Sequence, residues 1–201
     1  MSSFPGPHPL PRNLSAVVLP TVARDSLWFR HYKPEFDPLY FGRTGECRFD
    51  APPPDRAFGV MYLAADEHGA FVETFGHGHV HRTRLLTFAA VAAKRLAEVR
   101  FDAPLRLVDL TDAGLVRIGA DLRLCAGEYE VAQHWSGALH AHPEAPDGLL
   151  YRSRHDPSRL CAAVYDRVAT RAHAQDAGTL ADPARAHLLA ELLRTYGFGL
   201  Y

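Results

Sequence analysis

The 201 residues, 47% of them hydrophobic, suffice to bury one substantial core and are too few for an array of domains. The 22 basic and 23 acidic residues nearly cancel, which argues against the strongly basic surface of a direct nucleic-acid binder, and no basic run marks a membrane-binding segment. Three scattered cysteines argue against a disulfide framework and fit a reducing, cytoplasmic compartment.

No stretch approaches the roughly 20 apolar residues that cross a bilayer. The first residues, "MSSFPGPHPLPRNLSAVVLP", lack the charged start and apolar run of a signal peptide. Residues 1–25 read as a proline-rich N-terminal arm lying on the domain or on a partner, and residues 26–201 as a single domain.

Along that domain, "SLWFRHY" (26–32) is aromatic and strand-like. "CRFDAPPPDRAF" moves from a short strand into a proline turn, and "FGVMYLAA" (58–65) reads as a buried strand closed by the polar turn "DEHG". A short helix is expected from near Ala70, with Glu73 in its first turn. Residues 85–100 look helical from their alanine and leucine content, although the first half is also compatible with strand.

"LRLVDL" (105–110) is a strand, with Thr111 or Asp112 as cap of the helix after it. Tyr129, Ala132, Trp135 and Leu139 share one helical face, which reads as core or partner surface. Strands follow at 148–153 and 159–166 around the "RHDPS" turn. Asp182, Pro183 and Gly197 delimit a last helix carrying Leu188 and Leu192 on one face. Short strands and helices without a βαβ rhythm predict an α+β fold.

Five polar residues interrupt or flank these apolar segments: Arg30, Arg48, Tyr62, Glu73 and Ser153. Singly, each has an ordinary structural use, such as a strand-edge arginine, a core tyrosine or a serine ending a strand. As an ordered set they suit a pocket for a ring-bearing, phosphate-bearing ligand. Their order, through "RFD", "YLA", "ETF" and "DGLLYRSR", resembles the RES domain family over residues 26–166.

The resemblance implies a mixed β core flanked by short helices, like that of ADP-ribosyltransferases. It implies a toxin that consumes NAD+ as a substrate, needing no cofactor and no metal. A protein antitoxin of the Xre type is the implied partner, and a homodimer is left open. The acceptor of ADP-ribose is open among water, phosphate and a macromolecule; a non-catalytic nucleotide-binding module is the reading from another class.

Carried onto this chain, the family's residues fall on Arg30, Arg48, Tyr62, Glu73 and Ser153. Glu73 would face the positive charge that develops on the ribose, with Arg30 and Tyr62 beside it in the catalytic set. Arg30 and Arg48 would grip the pyrophosphate, Tyr62 would pack on the nicotinamide or ribose, and Ser153 would orient one of them. Arg43 in "FGRTG" is the rival to Arg48.

His77, His79 and His81 alternate in "HGHVH", a spacing that on a strand could hold zinc; the flanking glycine favours an exposed loop near the site mouth. The cysteines lack a catalytic signature. Ser136 in "HWSG" does not form a nucleophile elbow.

Overall fold

The computed structural model describes residues 10–77 and 84–201. The chain runs through β1 (Thr21–Arg24), β2 (Trp28–Tyr32), β3 (Val60–Ala64), α1 (Glu67–Phe75), β4 (Leu85–Leu86), α2 (Phe88–Ala92), β5 (Arg95–Phe101) and β6 (Leu105–Asp109). It continues with α3 (Ala113–Arg117), α4 (Arg123–Ala126), α5 (Tyr129–His140), β7 (Gly148–Arg152), β8 (Leu160–Tyr165), β9 (Ala172–Thr179), α6 (Ala186–Tyr196) and β10 (Gly199–Leu200). Eight strands form one mixed sheet in the order β1-β6-β7-β8-β3-β2-β5-β9, antiparallel except where β6 meets β7. The fold is α+β, as the irregular alternation of elements predicts.

Side chains alternate across the central strands and feed two cores. On one face Val60, Ala163 and Tyr165 join Phe49, Trp135 and Leu139, so α5 covers the sheet there with the face its spacing predicts. On the other, Met61, Leu63, Ala162 and Val164 pack with Trp28, Leu107 and Val168. A third cluster joins α1 to α6 through Phe71, Phe75, Leu189 and Leu192. Gly197 ends α6 in the left-handed region at φ 67°, where a side chain would be strained.

Several local expectations give way. Residues 47–50 form turns rather than a strand. Helix α1 starts at Glu67, because Asp66 accepts a 2.7 Å hydrogen bond from the Gly69 amide; the "DEHG" turn is its cap and first turn, and Glu73 lies near its end. Residues 95–100 are strand rather than helix, since β5 is held between β2 and β9 and pairing on both sides outweighs the helical leaning of Leu, Ala and Glu.

Strand β9, whose apolar positions are only alanine, was not expected. In the proline-rich segment, Leu14 and Leu19 are buried and β1 pairs antiparallel with β6.

Candidate functional site

Strand β3 shares five register pairs with β8, but with β2 it shares only Phe29–Ala64. Where β2 and β3 part, a cavity of about 210 Å³ opens. Phe29, Arg30 and His31 line it from β2, and Tyr62, Leu63 and Ala64 from β3. Glu73, Arg48, Tyr129 and Arg154 complete its polar wall. Four of the five sequence-selected residues therefore border one space, and the fifth, Ser153, touches Glu73.

Ser153 is 1% exposed and donates its hydroxyl proton to Glu73 Oε1 at 2.5 Å. Its oxygen accepts from the amides of His155 and Asp156, at 3.1 and 3.2 Å. With both lone pairs engaged, the proton can only point to the carboxylate. The expected role in orienting substrate gives way to a different one, because the hydroxyl is committed to fixing Glu73. A second tie braces the same helix: Arg159 pairs with Asp66 at 2.9 Å and with Asp156 at 3.3 Å, joining the N-terminus of α1 to the turn after β7.

Arg48 is buried, with Nη1 donating to the Gly127 carbonyl at 2.7 Å and the guanidinium 4.6 Å from the Tyr129 ring centroid. Its Nη2 is buried with no hydrogen-bond partner among the described residues. Such a donor costs about 1–3 kcal/mol of desolvation until an acceptor arrives, which makes an anionic group a fitting ligand. Burial draws its pKa down, and Arg154 pushes the same way. Arg43 points elsewhere, pairing with Asp166 at 2.6 Å, and does not line the cavity.

Arg30 is more constrained than expected. Its Nη1 donates to the carbonyls of Pro38 and Tyr40, at 3.2 and 3.0 Å, while burial lowers its pKa to about 10. It thus anchors the loop after β2 as well as bordering the cavity.

The Tyr62 hydroxyl is also taken: it donates to Asp50 Oδ1 at 2.9 Å and accepts from the Phe49 amide at 2.8 Å. Only its ring is left for a ligand. Asp50, 2% exposed, further accepts from Cys47 N at 3.1 Å and so shapes the turn that carries Arg48. Sequence reasoning quoted Asp50 only as part of "RFD".

His155 and Arg154 were also missed, having been read as part of a turn. The signal was present in "SRHD", whose polar side chains follow Ser153 directly. The rings of His155 and His77 meet edge to face at 4.7 Å, and with Glu73 they form a cluster with metal-ligand chemistry. His79 and His81 lie outside the described residues.

Three comparisons bear on these elements. The family model of the RES domain matches residues 23–186. A protein of Sinorhizobium fredii named probable toxin y4kH is 33% identical over 87 residues, covering 43% of this chain and 68% of that protein. A chain from the crystal structure of the M. tuberculosis MbcT–MbcA toxin–antitoxin complex superposes with a TM-score of 0.62 at 17% identity, over 92% of this chain and 98% of that one. The last likeness concerns the fold alone. The family match spans β2 to β9 and every element that builds the cavity, and on that basis the chain belongs to the RES domain family.

Proposed function

We propose that this chain is the toxin of a toxin–antitoxin pair and cleaves the nicotinamide–ribosyl bond of NAD+. The observation that carries the reading is the Glu73 carboxylate, fixed by Ser153 in the wall of a cavity also lined by an arginine with a free donor and a tyrosine ring. A cavity of about 210 Å³ falls short of the ~300–1,000 Å³ that encloses a drug-sized ligand, so it suits one end of a dinucleotide.

Breaking the C1′–N bond leaves positive charge on the ribose while the cationic pyridinium departs as neutral nicotinamide. No proton has to be delivered to the leaving group. What the reaction needs is a fixed negative charge beside the ribose, and Glu73 supplies it. Arg48 would hold the pyrophosphate through Nη2, and the Tyr62 ring would pack against the nicotinamide or ribose. Water or phosphate then bonds to C1′ through oxygen; with water, the proton passes to solvent. The names of the relatives, a probable toxin and a toxin–antitoxin complex, support a protein antitoxin as partner.

Incubating the purified chain with NAD+, with and without phosphate, and identifying the products by mass tests the reading. Free nicotinamide with ADP-ribose, or with ADP-ribose 1″-phosphate, is the expected result. ADP-ribose attached to a macromolecule would reassign the acceptor. NAD+ left intact under all conditions would remove the catalytic reading.

A further inference from the structure

Glu73 and His77 line the cavity, and together with His155 each offers a ligand atom, these atoms lying within 4.8 Å of one another. We propose that the three side chains form a binding site for a divalent transition metal, best matched by zinc, and that an ion held there withdraws the Glu73 carboxylate from NAD+. The inhibitory half rests on the role proposed above for Glu73; the binding half does not.

Two imidazoles and one carboxylate are a donor set that favours zinc over the oxygen-seeking calcium and magnesium, and three protein ligands leave a fourth position for water. Glu73 stands in the last turn of α1, His77 follows its C-cap Gly76, and the turn after β7 brings His155 to them. The Ser153 bond takes only Oε1 of Glu73, leaving Oε2 outside it.

Burial lowers the pKa of both rings, which favours the neutral form that can ligate. Tetrahedral ligands about 2.0–2.1 Å from zinc lie about 3.4 Å apart, so modest side-chain rotations close the set. His77 is exposed and His155 half-buried, so both have room to move.

A resident cation occupies the approach. Arg154 stands with Nη2 3.4 Å from His77 Nδ1, and its Nε donates to His155 Nε2 at 3.4 Å. Its side chain is exposed and free to swing out, so an incoming ion competes with it. That competition gives the site a signature with opposite signs: losing a histidine weakens binding, and losing Arg154 strengthens it.

Titrating the chelator-treated chain with Co²⁺, followed by absorption and displaced by Zn²⁺, reads the site directly. One equivalent is expected. His155→Ala and His77→Ala should each weaken binding at least tenfold, Arg154→Ala should tighten it, and His187→Ala, at an exposed histidine of α6, should leave it unchanged. Binding that ignores His155→Ala, or no binding, overturns the proposal.

In the NAD+ assay, Zn²⁺ should inhibit the unaltered chain and not His155→Ala, with chelation restoring turnover. Turnover that Zn²⁺ leaves untouched overturns the inhibitory half. A cobalt site with the stated dependence and no NAD+ cleavage would uphold the metal site while removing the function proposed above. Cleavage without ion binding would do the reverse.

Discussion

Strand β3 has two neighbours and treats them differently. Toward β8 it runs a full ladder of five pairs, with Met61 opposite Val164 and Leu63 opposite Ala162. Toward β2 it makes one pair; Val60 on that edge bridges Gly42 instead, and Tyr62, Leu63 and Ala64 line the cavity. On the closed side apolar residues such as Met61, Leu63, Ala162 and Val164 meet at 3% exposure or less, and the seam contributes stability. On the open side the same strand presents Tyr62, and its surroundings collect Arg30, Arg48 and Glu73. The sheet therefore divides labour along one strand: one edge holds the fold, and the other leaves backbone and side chains for a ligand.

The comparison breaks most visibly on its closed side. Met61 is fully buried, and Met61→Ala should cost about 2–5 kcal/mol, read from urea unfolding, while NAD+ affinity of the folded fraction stays within about twofold. A matching loss of affinity would mean that the two edges are not separable. Glu73→Gln tests the open side in reverse. Turnover should drop by about 100- to 1,000-fold with the unfolding midpoint little changed and NAD+ still bound.

Ser153→Ala should follow with a smaller fall in kcat than Glu73→Gln and a near-constant KM, because Ser153 fixes the carboxylate without touching ligand. Its loss also orphans the His155 and Asp156 amides, so a stability cost of about 1–3 kcal/mol should accompany it. An unchanged kcat would remove its positioning role.

The two arginines that competed in the sequence sharpen the contrast further. Arg48→Ala should weaken NAD+ binding about 10- to 100-fold, the scale of one charge-assisted hydrogen bond. Arg43→Ala removes an exposed pair with Asp166 and should leave affinity unchanged, and isothermal titration of both variants decides between them. Equal losses would mean that both act through the loop they share.

How much of this was legible differs between the same two edges. The closed side could be read because β3, β7 and β8 are continuous apolar runs, buried on both faces, and such runs announce themselves. Helix α5 could be read from its stripe, and α6 from Pro183 and Gly197. Strand β9 could not, because its residues are alanine, glycine and polar types with no large apolar side chain, and it is strand only by virtue of β5. The open side was legible as a set of residue types and not as a geometry.

The order Arg30, Arg48, Tyr62, Glu73 announced a shared pocket, but nothing in one dimension shows where a hydroxyl proton points. That is why Ser153 read as a ligand contact although its hydroxyl donates to Glu73, while Tyr62 keeps the expected ring at the cavity and gives its hydroxyl to Asp50. It is also why Asp50 and His155, whose importance comes entirely from partners distant in sequence, passed unremarked.

The smallest expected effect compares two histidines, one beside each edge. His31, on β2 by the cavity, has its pKa lowered to about 4 by burial, with Lys94 and Arg185 adding to the shift against a hydrogen bond to the Arg95 backbone. His140, at the end of α5, falls to about 4 by burial and the nearby Arg167, its ring stacked on Phe58 at 4.0 Å. Both are neutral in the fold and take a proton near pH 6.5 once unfolded. Between about pH 6.5 and pH 4 the unfolded chain thus binds more protons, and stability falls as pH falls, levelling off below about 4.

Each ring contributes at most about 1.4 kcal/mol per pH unit in that window. His31→Phe, which keeps a ring against Phe75, should remove its share and leave that of His140. Urea midpoints at pH 7 and pH 5 should therefore lie closer together in His31→Phe than in the unaltered chain. An identical spread would show that His31 gains its proton in the folded state, and that the cavity edge admits water as far as β2.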